Sequence, residues 1–195
     1  MKRALLSALA AGLWLCLAQG PAAAQTATPD IAEKLQLCTG CHGEGGLPVN
    51  PDMPIIWGQN YYYLYVQLKD YAAGRRQNEV MTPIAAELSK EEQQALAKHF
   101  SEQPWPKTGF PPVEPAVSQQ AQRAMTAGAC TECHLANLRG RSSIPRVSGQ
   151  QPAYLEKTML ELKNKVRQNA PAKASLFATF PDEDLKALAA YLATR

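Results

Sequence analysis

The pentapeptide Cys-x-x-Cys-His occurs twice in this chain, as Cys38-Thr39-Gly40-Cys41-His42 and as Cys130-Thr131-Glu132-Cys133-His134. This is the attachment pattern of c-type heme. Two cysteines three positions apart share one helical turn, so each thiol can bond one heme vinyl group as a thioether. The histidine that follows then lies under the iron as an axial ligand. A redox dithiol and a structural zinc site are the competing readings. Zinc needs two more ligands per site, and the chain has only one other histidine, His99. The motifs therefore predict two covalently bound heme c groups, held by Cys38, Cys41, Cys130 and Cys133, with His42 and His134 on the irons. Their spacing of 92 residues points to two separate heme-binding units.

The N-terminus agrees with that chemistry. Lys2 and Arg3 precede an apolar run from Ala4 to Ala18, and Ala22-Ala23-Ala24 offers a small-residue cleavage site before Gln25. This reads as a secretory signal peptide over residues 1–24, too short for a membrane span. Heme is attached after export, so a periplasmic location is expected. Cys16 falls inside the signal, behind Leu15 where lipidation requires a small residue, and is expected to leave with it. The four remaining cysteines are all used by heme, leaving none for a disulfide. No later apolar run is long enough to span a bilayer, so the mature protein is expected to be soluble or peripheral at a membrane surface.

The motif spacing belongs to a longer repeat. Pro54-Ile55-Ile56-Trp57-Gly58-Gln59 matches Pro145-Arg146-Val147-Ser148-Gly149-Gln150, and Tyr63-Leu64 matches Tyr154-Leu155. Arg76-Gln77-Asn78 matches Arg167-Gln168-Asn169, and the run Leu96 to Phe100 matches Leu188 to Leu192, at offsets of 91 or 92 throughout. The expected organisation is an N-terminal domain over 25–104, a proline-rich linker over 105–117 and a C-terminal domain over 118–195. Five prolines between Pro104 and Pro115 favour an extended, semi-rigid connector. Domains this small have marginal cores, and a covalent heme supplies the missing apolar bulk.

Both halves read as all-α. A first helix is expected to run into each heme motif, from about Ile31 and from about Ser118. A second follows each Gly-Gln pair. A third opens at Ser89-Lys90-Glu91-Glu92, a capping-box pattern, and at Pro181-Asp182-Glu183-Asp184, where proline and acids suit a helix start. No stretch alternates as a strand does.

A ligating histidine usually donates its other ring N–H to a carbonyl; Pro54 and Pro145, 12 and 11 residues beyond each histidine, are the candidate acceptors. The sixth ligand must come from further downstream. In the first half, Met81 stands in a loop before Thr82-Pro83, and its thioether would raise the reduction potential. In the second half the same register holds Lys173, in Asn169-Ala170-Pro171-Ala172-Lys173-Ala174. Three readings stay open there: a neutral Lys173 amine on the iron, an open or water-bound site, or another residue, with Met159 best placed. Met159 and Met125 also fit core packing, and His99 fits packing or surface. An amine must lose its proton to bind, and a harder nitrogen favours ferric iron, so the second heme is expected to have the lower potential.

Taken together, the two heme motifs, Pro54 with Gly58-Gln59, Pro145 with Gly149-Gln150, and the Arg-x-Asn-x-x-Met element ending at Met81 resemble a diheme cytochrome c of the cytochrome c4 type. The resemblance covers nearly the whole mature chain. It implies two tandem class I cytochrome c folds, each wrapped around its covalently attached heme, packed about a pseudo-twofold axis with the heme propionates near the interface. It further implies a periplasmic electron carrier, not an enzyme, that passes electrons from a dehydrogenase or respiratory donor to a terminal oxidase or small cytochrome. Lys173 departs from the methionine usual in that family's second half.

Charge divides between the halves. Residues 25–104 carry 6 basic and 10 acidic side chains, and residues 118–195 carry 11 basic and 6 acidic. Such a dipole steers transient encounters between redox proteins; nucleic acid is not an expected partner. Arg139, Arg141 and Arg146, soon after the second motif, are candidates to offset propionate charge. Two alternatives stand beside the free carrier. One is a dedicated electron-transfer subunit of a dehydrogenase acting on thiosulfate or an alcohol. The other is a peroxidase-like or ligand-binding protein with an open second heme.

Overall fold

The computed structural model describes residues 29–195; the signal-peptide reading and Cys16 lie outside them. Among the described residues the chain is helical, with a single isolated bridge between Arg141 and Ile144 and no strand. No helix there is long and apolar enough to cross a membrane.

The first half contains α1 (Ala32–His42), α2 (Tyr61–Ala72), α3 (Met81–Ala86) and α4 (Lys90–Glu102). The second contains α5 (Pro115–Ala127), α6 (Cys130–His134), α7 (Pro152–Lys163), α8 (Pro171–Phe177) and α9 (Asp182–Ala193). Each half has its own apolar cluster. Leu64, Leu88, Leu96, Ala97 and Phe100 pack together where α2 meets α4. Leu155, Met159, Leu185, Leu188 and Leu192 do so where α7 meets α9, with Ala121 and Ala124 of α5 against them.

Local signals account for several helix starts. Ser89 Oγ accepts the Glu92 N–H at 3.2 Å and a Glu92 carboxylate oxygen accepts the Ser89 N–H at 2.7 Å, so the capping box at α4 is complete. Pro115 and Pro171 sit in the first turns of α5 and α8, where a missing N–H costs nothing. Thus α5 starts at Pro115, three residues before the expected Ser118.

Two expectations change. The helix entering the second motif is broken: α5 stops at Ala127 and α6 begins at Cys130, with Ala129 at φ 47 between them. Where the first half has Gln36-Leu37, the second has Gly128-Ala129, and Gly128 takes the C-cap, donating to the Ala124 carbonyl at 2.9 Å. A side chain at 128 would meet Phe180 at 3.3 Å and the Cys130 sulfur at 3.2 Å. The second change is that Met81 and Lys173 do not lie in loops. Met81 opens α3 and Lys173 lies in the first turn of α8.

The halves meet through the repeated Gly-Gln pairs. Gln59 Nε2 donates to the Arg146 carbonyl at 2.9 Å, and Gln59 Oε1 accepts the Arg146 N–H at 2.7 Å. Gln150 does the same to Ile55, at 3.0 Å and 2.8 Å. Ile55 and Arg146 are equivalent positions of the repeat, so the contact is reciprocal, as a pseudo-twofold interface requires. Gln59, Gln150 and Ile55 are all buried. The neighbouring glycines admit the linker. A Cβ on Gly58 would lie 2.9 Å from the Trp105 nitrogen and one on Gly149 would lie 3.0 Å from Trp105 Nε1, and both glycines have positive φ. The Arg146 guanidinium covers the Trp105 ring at 4.2 Å from its centroid.

Removing Gln150 strands a buried N–H and a buried carbonyl at Ile55, and removing Gln59 strands the part-buried pair at Arg146. Gln59→Ala and Gln150→Ala are each expected to destabilise the holoprotein by roughly 2–4 kcal/mol, read from the urea midpoint. Gln122→Ala, on the outer face of α5, should leave that midpoint unchanged.

Candidate functional site

Helix α1 carries the first motif. Cys38 and Cys41 are free thiols one turn apart. Cys38 packs against the first core, and burial, reinforced by Cys41, pushes its thiol up to about 11. His42 is buried, with Nδ1 2.8 Å from the Pro54 carbonyl oxygen. A carbonyl can only accept, so Nδ1 carries the proton and Nε2 keeps its lone pair. Burial lowers the His42 pKa against the opposing pull of that carbonyl, which favours a neutral imidazole. Uncharged, with Nε2 free and the ring orientation fixed, His42 is in the form that binds a metal.

The second motif repeats this on α6. His134 Nδ1 lies 2.9 Å from the Pro145 carbonyl oxygen, and burial again lowers its pKa. Burial raises the Cys130 thiol, and the positive charge of Lys173 opposes that rise. The same charge further disfavours protonation of His134. The charge of Lys173 thus acts on both Cys130 and His134 of its half.

Met81 is half-buried, with its backbone N–H donated to Asn78 Oδ1 at 2.9 Å. Helix α3 packs on α2, and α8 packs on α7. Met159 is buried in the second core on α7 and Met125 packs against that core. His99, near the end of α4, stands edge-on to the neighbouring Phe100 ring at 5.3 Å.

The pairing of each histidine with its carbonyl is tied to the interface. Pro54 precedes Ile55, which Gln150 grips, and Pro145 precedes Arg146, which Gln59 grips. Each half thus holds the loop that orients the other half's histidine.

A charged cluster that the motifs alone do not reveal lies beside this contact. Arg76 and Arg167, equivalent in the repeat, are both buried. Arg76 donates to Gln67 Oε1 at 3.0 Å and to the Tyr154 hydroxyl at 3.2 Å. Arg167 donates to Asn169 Oδ1 at 2.8 Å and to Gln67 Oε1 at 3.0 Å. None of these partners is a carboxylate, and among the described residues neither arginine forms a salt bridge. Burial pushes the Tyr154 hydroxyl up, but Arg76 and Arg167 outweigh it and bring it down to about 7. Arg139 and Arg141 are exposed and Arg146 covers Trp105, whereas the buried positive charge is that of Arg76 and Arg167. The repeated Arg-x-Asn and Tyr-Leu pairs were the available signal.

These residues fit heme. There are two free thiols and one oriented imidazole per motif, and two buried guanidiniums without a carboxylate, suited to propionates. The buried Trp57 Nε1 and Trp105 Nε1 have no hydrogen-bond partner among the described residues.

No family model matches the chain. Cytochrome c4 of Thiocapsa roseopersicina is 31% identical over 88% of this chain and 94% of that protein. A thiosulfate dehydrogenase electron acceptor of Thiomonas intermedia is 32% identical over 77% of this chain and 72% of its own length. Among solved structures, reduced cytochrome c4 of Pseudomonas stutzeri superposes with a TM-score of 0.76 at 27% identity, covering 83% of this chain and 95% of that one.

If each motif attaches one heme, replacing Cys130 and Cys133 by alanine should halve the covalently bound heme per chain. Mass spectrometry and the pyridine hemochrome assay of exported protein measure this.

Proposed function

Because this chain belongs to the cytochrome c4 family of diheme electron-transfer cytochromes, we propose that it works in the periplasm with two covalent hemes. It would carry electrons between a dehydrogenase or respiratory donor and a terminal oxidase or other acceptor. When bound, each heme supplies one-electron exchange between ferric and ferrous iron. The residues of the chain supply attachment, orientation and electrostatics. Cys38 and Cys41 hold the first heme and Cys130 and Cys133 the second. His42 and His134 present Nε2 to the irons because Pro54 and Pro145 occupy Nδ1. Arg76 and Arg167 offset carboxylate charge near the interface.

The observation that carries this reading is the pair of carbonyl-locked histidines, each directly following a free Cys-x-x-Cys and each held from across the interface. It favours two hemes kept in constant mutual orientation, which suits electron transfer between them. No nucleophile–base pair is involved.

For the sixth ligands we assign Met81 to the first heme and Lys173 to the second. The charge of Lys173 acting on both Cys130 and His134 supports its placement beside the iron. Met159, buried in the core, is engaged in packing. A thioether on one side and an amine on the other would separate the potentials, the second heme being lower. Low-temperature electron paramagnetic resonance of the ferric protein should show two distinct low-spin species. Lys173→Met should convert the second toward the first and raise the lower of the two midpoint potentials. An unchanged second signal would remove Lys173 from the iron.

A second reading places the protein as the electron-accepting unit of a dehydrogenase, supported by 32% identity to an electron acceptor of thiosulfate dehydrogenase. Reduction by a thiosulfate dehydrogenase that slows as salt rises from 10 to 150 mM would favour it, since the Debye length falls from about 30 to about 8 Å. A salt-independent rate would count against steering by the acidic and basic halves.

A further inference from the structure

Asn78 and Asn169 occupy the same place in the repeat and do different work. Asn78 Oδ1 accepts the backbone N–H groups of Val80 at 3.1 Å and Met81 at 2.9 Å. The Asn78 backbone N–H donates to Thr82 Oγ1 at 2.9 Å. The first half therefore fixes the backbone of its distal residue locally. Two residues after Asn169 stands Pro171, which has no N–H to offer. The matching turn cannot form, and α8 starts behind Ala170 with no side-chain cap.

The amide freed in this way reaches into the first half. Asn169 Nδ2 donates to Asp70 Oδ2 at 2.7 Å and to Gln67 Oε1 at 3.1 Å, both on α2. Asp70 is buried, and its other oxygen is taken by Arg75 at 2.7 Å. Asn169 Oδ1 accepts from Arg167 at 2.8 Å. The segment leading to Lys173 is thus anchored on the opposite half by one charge-assisted and one neutral hydrogen bond, with no counterpart in the first half.

We propose that Asp70 and Gln67 are positioning residues for the second heme, acting through Asn169 to hold the distal segment 169–173 in register. The first half then sets the distal side of both hemes, its own through Asn78 and its neighbour's through α2. The proposal rests on segment 169–173 lying on the distal side of the second heme, and not on which atom there binds iron.

The test uses the full-length diheme protein, with ferric electron paramagnetic resonance and stopped-flow cyanide binding as readouts. Asn169→Ala should alter the second-heme signal and speed cyanide binding at that heme about tenfold, the factor lost with one charge-assisted hydrogen bond, while the first-heme signal stays as in wild type. Asp70→Asn keeps one acceptor oxygen but loses the charge, and should shift the second-heme signal less than Asn169→Ala does. If Asn169→Ala yields no folded holoprotein, Gln67→Ala is judged by the same criterion. A second-heme signal and cyanide rate that stay unchanged overturn the proposal. Lys173→Met in parallel separates the two claims. A signal sensitive to Asn169→Ala but not to Lys173→Met rejects the amine ligand and keeps the positioning role. Sensitivity to Lys173→Met alone does the opposite.

Discussion

The structure depends on a double grip in which the glutamine of each half bonds both backbone groups of one residue in the other. Gln150 holds Ile55 and Gln59 holds Arg146, and the residue before each is the proline whose carbonyl orients a histidine. An amide side chain is suited to this because it offers a donor and an acceptor side by side, matching the N–H and C=O of one backbone residue. Buried as it is, the pair is costly to break, since each lost bond leaves a polar group without water. Interface geometry and histidine orientation are therefore one constraint, and the hemes would share it.

Within that symmetric frame the halves have diverged in the features that govern chemistry. The helix entering the motif is continuous in the first half and broken at Gly128-Ala129 in the second. One candidate ligand is a methionine at the head of α3, its N–H held by Asn78; its counterpart is a lysine in α8, behind a proline. The first half is acidic and the second basic. Duplication preserved what the interface needs, the Gly-Gln pairs and the Arg and Tyr positions. It relaxed what each half decides alone.

Several of these features were legible in the chain because their physics is local. The capping box of α4 spans four residues, and Ser89 and Glu92 announce it. The histidine–proline spacings of 12 and 11 residues suffice to suggest the carbonyl acceptors. Helices α3 and α8, at 6 and 7 residues, are too short for hydrophobic periodicity to reveal, so Met81 and Lys173 read as loop residues. The arginines were harder. Arg139 and Arg141 follow the second motif closely but are exposed, whereas Arg76 and Arg167 stand far from it and are buried at the interface. Proximity in sequence carries little information about where charge is sequestered.

The sequence by itself determined the two Cys-x-x-Cys-His sites, the duplication and the helical class, because thioether spacing, repeat register and capping are all set within a few residues. Only the tertiary structure decided that the Gln of each Gly-Gln pair belongs to the opposite half's loop. It alone decided that Trp105 packs against both glycines, and that Asn169 turns away from its own helix to meet Asp70. Those choices depend on which backbone groups remain unpaired once the halves have packed, and an unpaired buried group takes the nearest partner in space, whatever its distance along the chain.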